Sequence, residues 1–339
     1  MATFLRVFIK TSAFFSSIII LILVCVFLIN LTSKSNDEYF YIEDDKEANF
    51  KIGIIELEGL IIEKDIHFPS LMASLIISPQ DVKNKLKSIK QFSPQIIIFS
   101  VNSPGGTVSA SNTLYSIIKD FKKHNDVEIF FHTNELLTSG GYWVASSSDG
   151  IFASYGSIIG SIGVKGPDWF YYENPISISS GVFNNRIETK DGIKVYSNKA
   201  GLSKDLYNPF RRPNANEIKH LQNMVDQIYS DFVRIISKER KIEIDFITNE
   251  IKGLVYTTAK AIDLNLIDDE LSLDELVESQ VKKRNIENYS LVRVISKKKS
   301  LLSNLLINEF NQKDYKINTE CLNVRTSIAA ILSYESIGC

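Results

Sequence analysis

Thr138-Ser139-Gly140-Gly141 sets a hydroxyl directly before two glycines, at the start of a segment that reads as a short helix running to Ser147. A serine so placed has three assets for acyl transfer. The turn exposes its hydroxyl, the glycines let a substrate backbone come close, and the unbonded N–H groups of the helix N-terminus can hold a developing oxyanion. The same four residues also open ordinary helices, so alone they do not establish catalysis. A second turn, Asn102-Ser103-Pro104-Gly105-Gly106, follows the apolar run Gln95–Ser100. It reads either as a type I or II turn using Pro104 and Gly105, or as a second source of backbone N–H groups facing Ser139. Two Gly-Gly turns after two strands of one sheet are more specific than either alone.

A nucleophilic serine needs a base. The chain has four histidines, and His132, at the end of the strand before the Ser139 loop, is the one to weigh for a Ser–His–Asp triad. His67, His124 and His220 read as surface residues. No His/Cys/Glu cluster has metal-ligand spacing, and no cofactor is expected. Tyr142 and Trp169 are candidates for binding apolar substrate side chains. For the run Trp169-Phe170-Tyr171-Tyr172, core packing or contact with a membrane surface fits equally well.

These residues must be held by a scaffold. Lys51–Gly59 alternates enough to be a strand, and Gln95–Ser100, Val127–His132 and Ile151–Ala153 read as buried strands. Between them lie helices at Asp81–Phe92 and at the segment bearing Leu114, Ile117, Ile118 and Phe121. Repeated strand, turn and helix indicates an α/β fold with a largely parallel sheet, whose sites collect where strands hand over to helices. Asn214–Lys241 reads as a long core-packing helix: Asn214 and Glu217 fit a capping box, and Ile218, Leu221, Val225, Ile228, Phe232 and Ile235 form a stripe. Gly253–Asp269 reads as strand, short helix and turn, and the chain from Lys282 as a basic, then mixed tail.

The N-terminus departs from globular composition. No charge occurs between Lys10 and Lys34, and an uncharged run of roughly 20 residues can cross a bilayer as a helix. The expected organisation is a cytoplasmic N-terminus at 1–10, a retained anchor at 11–33, a linker at 34–49, a catalytic domain at 50–285 and an extension at 286–339. Arg6 and Lys10 precede the span and acidic residues follow it, so the positive-inside rule leaves the catalytic domain outside the cytoplasm. There Cys321 and Cys339 could be bridged or remain free thiols. The chain is 44% apolar and 23% charged, with net charge −2, so nothing suggests nucleic acid as a partner.

Asn102-Ser-Pro-Gly-Gly106, then Ser139-Gly-Gly-Tyr142, then Gly160-Ser-Ile-Gly-Val164, in this order, resemble the signal peptide peptidase A (protease IV) family. Asp205 after Lys204, and Gly253-Leu-Val-Tyr-Thr257 with Ala259, Ala261 and Leu266-Ile-Asp268, extend the similarity from about Lys51 to about Asp269. The resemblance implies a Clp protease/crotonase-like spiral of repeated β-β-α units. It implies a serine endopeptidase acting on signal-peptide remnants or other membrane-associated peptides, working as a homo-oligomer. It places the nucleophile at Ser139 and a lysine base in Gly201-Leu-Ser-Lys204-Asp205. Lys190, Lys194 and Lys199 are rivals, because the stretch from Lys165 to Lys199 looks longer than in typical members. Ser161 could orient the amine, and N–H groups of Gly105, Gly106 and Gly140 would form the oxyanion hole. A lysine is a poor base at its ordinary pKa of about 10.4; burial disfavours the ammonium, and a neutral amine can then take the serine proton. The rivals are a crotonase-like acyl-CoA enzyme, which would not need Ser139, and a non-catalytic membrane scaffold.

Overall fold

The computed structural model describes residues 48–63, 75–172 and 198–296, with short pieces at 10, 12, 14–17, 20–21, 38–44, 177–178 and 187–188. The chain divides into two units. The first, Met1–Phe40 with Ile295–Lys316, is described at few residues; among them Phe14, Phe15, Ile20 and Leu21 are helical and exposed. No helix of the described residues is long and apolar enough to cross a membrane. Most of the anchor expected at 11–33 lies outside the described residues, as do Lys190, Lys194, Cys321 and Cys339.

The second unit carries the sheets. In chain order it runs β1 (Phe50–Glu58), β2 (Leu60–Ile61), β3 (Ile76–Ile77), α1 (Pro79–Lys90), β4 (Ile96–Asn102), α2 (Val108–Lys123), β5 (Glu128–Thr133), β6 (Leu136–Thr138), α3 (Gly140–Ala145), β7 (Gly150–Ala153) and β8 (Ile158–Gly160). After the segment to 213 come α4 (Ala215–Arg240), β9 (Val255–Thr257), α5 (Thr258–Asp263), β10 (Asp269–Glu270), α6 (Leu273–Lys283) and β11 (Tyr289–Ser296). Strands β11-β1-β4-β5-β7-β10 lie side by side, each neighbouring pair parallel. This is the α/β architecture with a parallel sheet that the strand–helix alternation implies. A smaller sheet runs β9-β8-β6, with β6 parallel and β9 antiparallel to β8.

The parallel strands are buried along most of their length because helices cover the sheet. On one side α6 lays Leu276, Val277 and Val281 against Ile52, Ile54, Ile96, Ile98, Phe130 and Leu291. Elsewhere Phe99 and Phe131, opposite each other on β4 and β5, stack with ring centres 5.0 Å apart. The sheet also takes in β11, whose residues Tyr289 to Val294 pair with β1. Leu291, Val292 and Val294, in what reads as a basic tail, are thus buried in the core.

Helix α4 starts with the expected capping box, yet only its second half packs in the core. Phe232, Val233 and Ile236 are buried, whereas Ile218 is 55% and Met224 48% exposed. The apolar stripe is continuous in sequence, but its first two turns pass beyond the elements that bury the last ones.

Candidate active site

Three loops meet at Ser139, and backbone hydrogen bonds join them. The loop after β4 lies beside β6: Ser103 N–H donates to the Leu136 carbonyl at 2.7 Å, and Thr138 N–H donates to the Ser103 carbonyl at 3.1 Å. Ser139 N–H donates to the Gly160 carbonyl at 2.8 Å, which ties in the end of β8. Asn102 fixes the start of its loop, its side-chain carbonyl accepting from Thr133 Oγ1 at 2.9 Å and from Glu135 N–H at 3.1 Å. Each of the three Gly motifs thus supplies one wall.

Ser139 sits at φ 51°, ψ −124°, directly before the first turn of α3. A non-glycine residue in this region is strained by about 1–3 kcal/mol and persists only where its surroundings hold it. The holding is visible. Every residue of α3 is buried, Trp143 stacks on Phe232 of α4 with ring centres 4.7 Å apart, and Trp143 N–H donates to the Ser139 carbonyl at 2.9 Å. A sharp strand-to-helix turn of this kind lifts a serine hydroxyl out of the fold, and Ser139 is accordingly half-buried while Thr138 and Gly140 are buried.

The Pro104-Gly105 turn packs straight against it. A Cβ on Gly105 would lie 2.8 Å from Gly140 N and 3.1 Å from Ser139 Oγ, and the residue has φ +104°. Only glycine satisfies both the space and the backbone. The Gly105 N–H, however, is committed within its own loop, donating to Ser103 Oγ at 3.1 Å, while that hydroxyl donates to the Gly59 carbonyl at 2.7 Å. Gly105 therefore serves as the close-approach residue rather than as an oxyanion donor. Gly106 differs: its bridge to Ile61 uses the Gly105 carbonyl and the Thr107 N–H, leaving its own N–H outside that bridge. Its nitrogen lies 3.2 Å from where a Cβ of Gly140 would stand. Gly106 and Gly140 are the two N–H groups brought together beside Ser139.

The other expected residues fall elsewhere. Tyr142 is fully buried and its hydroxyl donates to the Leu266 carbonyl at 2.7 Å; burial pushes its pKa up. It is a core residue and presents no surface to a substrate. His132 is buried on β5, with Nε2 3.0 Å from the Leu271 carbonyl and 3.3 Å from Ser154 Oγ. Burial lowers its pKa, and the Leu271 carbonyl and Asp274 offset this only in part. Among the described residues no hydrogen bond joins His132 to Ser139, so the triad reading has no geometric support. Ser161, at φ 53°, is half-buried, and its N–H donates to the Leu254 carbonyl at 2.8 Å.

Lys204 lies on an exposed turn, its N–H donating to the Gly201 carbonyl at 3.2 Å. Among the described residues no hydrogen bond joins it to Ser139 and no apolar pocket encloses its amine. Its rival Lys199 is already engaged, with Nζ 2.6 Å from Asp205. The aromatic run packs on the Lys204 segment: Trp169 lies 5.4 Å from Tyr207 and donates from Nε1 to the Asn208 carbonyl at 3.2 Å. Residues that sequence reasoning passed over organise both loops, Ser103 in the first, Arg211 and Glu217 in the second. Ser103 was in view as part of the turn. Arg211 carries no signal of its own, because its partners are set by loop geometry.

Residues 122–287 match the family model of peptidase family S49. Just under half of this chain is therefore similar to peptidase family S49. Similar proteins include a putative protease of Methanocaldococcus jannaschii, 30% identical over 196 residues, 58% of each chain. A putative signal peptide peptidase SppA of Enterococcus faecium is 24% identical over 296 residues, 87% of this chain and 80% of that one. Protease 4 of Haemophilus influenzae is 25% identical over 264 residues, 76% of this chain and 39% of that one. The chain thus spans between about two fifths and four fifths of these relatives. Among solved structures, the membrane-bound stomatin-specific protease 1510-N in complex with a substrate peptide superposes with TM-score 0.43 at 17% identity, covering 76% of this chain and 97% of that one.

Proposed function

We propose that this chain is a membrane-anchored serine endopeptidase with a Ser–Lys dyad. Ser139 is the nucleophile, Lys204 takes its proton, and the N–H groups of Gly106 and Gly140 receive the oxyanion. The observation that carries the reading is the Ser139 turn: a serine held in a strained conformation, at the start of a buried helix, with a glycine backbone packed against its hydroxyl. The similarity to peptidase family S49 and the relatives named as proteases support it. The uncharged N-terminal run supports an anchor in the plasma membrane, with the catalytic domain extracytoplasmic. The substrates are peptides at the membrane, among them signal-peptide remnants. A spiral fold of repeated β-β-α units and assembly into a homo-oligomer complete the proposal.

Lys204 is exposed in the single chain, whereas a lysine base must be desolvated. Loop closure, bound substrate or a neighbouring copy must cover it. The test is labelling of the full-length protein by a serine-directed phosphonate, followed by peptide mapping. Covalent modification at Ser139, lost in Ser139→Ala together with peptide cleavage, is the expected result. An unlabelled protein, or cleavage by Ser139→Ala within about tenfold of wild type (roughly 1.4 kcal/mol of barrier), would sink the proposal and leave the acyl-CoA and scaffold readings.

A further inference from the structure

A general base must be held at hydrogen-bond distance from its nucleophile, yet Gly201, Leu202 and Lys204 of the turn that bears it are exposed. Leu202 is 95% exposed, and the turn enters and leaves through left-handed residues, Gly201 at φ +92° and Tyr207 at φ +65°. What fixes it are polar bonds on both sides of Lys204. Asp205 accepts from Arg211 Nε at 3.0 Å and from Arg211 Nη2 at 2.9 Å. Ser203 hydrogen-bonds Glu217. Arg211 also reaches Glu217, with Nη1 and Nη2 each 2.8 Å from a carboxylate oxygen. The same Glu217 carboxylate accepts the Asn214 N–H at 3.0 Å, closing the capping box of α4.

We propose that Arg211 is a positioning residue for catalysis, locking the Lys204 turn to the first turn of α4 by forking between Asp205 and Glu217. This rests on Lys204 as the base. The site is built rather than incidental: the side chains of Glu217, Asp205 and Arg211 are 3%, 16% and 26% exposed. The guanidinium lies 5.1 Å from the Trp169 ring centre, which shields it from water on that face. Arginine suits the site because its planar fork makes four bonds to the two carboxylates, whereas an ammonium has only three donors. The aromatic run after β8 is thus accounted for as the wall of this clamp.

The experiment compares Arg211→Gln, Arg211→Lys and Asp205→Asn in the full-length protein, measuring kcat and KM separately on a peptide substrate, beside thermal unfolding. Arg211→Gln should lower kcat at least tenfold with KM within about twofold. Arg211→Lys should fall between this variant and wild type, and Asp205→Asn, which keeps the arginine, should repeat the kcat loss. An unchanged kcat in Arg211→Gln would overturn the clamp. So would a lowered melting temperature with normal kcat per folded enzyme, which marks a purely structural role. Should Arg211→Gln fail to fold, Asp205→Asn decides alone, and normal kcat there overturns it. Lys204→Arg separates this from the underlying reading: if it is active, the dyad fails and the clamp falls with it. If it is inactive beside a normal Arg211→Gln, only the clamp is wrong.

Discussion

At the scale of single residues, the site places function against stability. Ser139 holds φ 51°, ψ −124°, a region that glycine enters without the penalty a Cβ brings. Ser139→Gly should therefore be catalytically dead and yet more stable than wild type by about 1 kcal/mol. Chemical denaturation of the two proteins measures this; an inactive variant that is also less stable would show that the serine side chain, not its chemistry, maintains the turn. The neighbouring glycine has no such latitude, since any Cβ on Gly105 meets Ser139 and Gly140. Most of this was legible in the sequence, because a strained turn, a close approach and a helix start each require particular residue types. What was not legible is which N–H is spent locally. Gly105 and Gly106 are alike in sequence, and only the Ser103 hydroxyl, turned toward Gly105 N–H at 3.1 Å, distinguishes them.

At the scale of elements, α3 is too short to be stable alone, so its hold on Ser139 must come from packing. Trp143 supplies it: the ring is 4% exposed and stacked on Phe232, while its Nε1 has no hydrogen-bond partner among the described residues. Trp143→Ala should cost about 3–5 kcal/mol, the usual loss for a buried aromatic. Trp143→Phe should cost far less, since it keeps a stacked ring and removes a buried unpaired donor. Equal losses in the two variants, read by urea unfolding, would mean that ring stacking is not what anchors α3. Periodicity exposed α4 readily, but not which of its turns are buried. Ile218 and Phe232 sit on one stripe, but Phe232 is covered, stacked on Trp143 of α3, while Ile218 is exposed. Likewise the Lys204 turn has no period to read, and its order comes from Arg211, whose partners Asp205 and Glu217 each lie six residues away.

At the scale of the whole molecule, the parallel sheet was legible because buried strands read as apolar runs between helices. The return of β11 beside β1 was not, since that pairing joins residues more than two hundred positions apart. Near its middle the sheet encloses His132, on β5 between Ser100 and Phe152, and this gives the molecule a pH dependence of stability. Nε2 faces the Leu271 carbonyl at 3.0 Å and Nδ1 has no partner among the described residues, an arrangement that suits the neutral ring. Burial pushes its pKa below the ordinary 6.5. In the unfolded chain the ring takes up a proton near 6.5, so between that value and the lower folded one the unfolded state binds more protons. Stability therefore rises with pH across that window, is fully present above about 6.5, and is lost as pH falls toward the folded pKa. His124 and His220 are exposed, which leaves His132 as the described histidine with most leverage. The measurement is the urea midpoint at pH 7.5 and pH 5.5 for wild type and His132→Gln, whose amide can still donate to Leu271. Wild type should lose stability over this range and His132→Gln should lose measurably less. Parallel losses in the two proteins would place the acid sensitivity elsewhere and refute a neutral, buried His132 as its source.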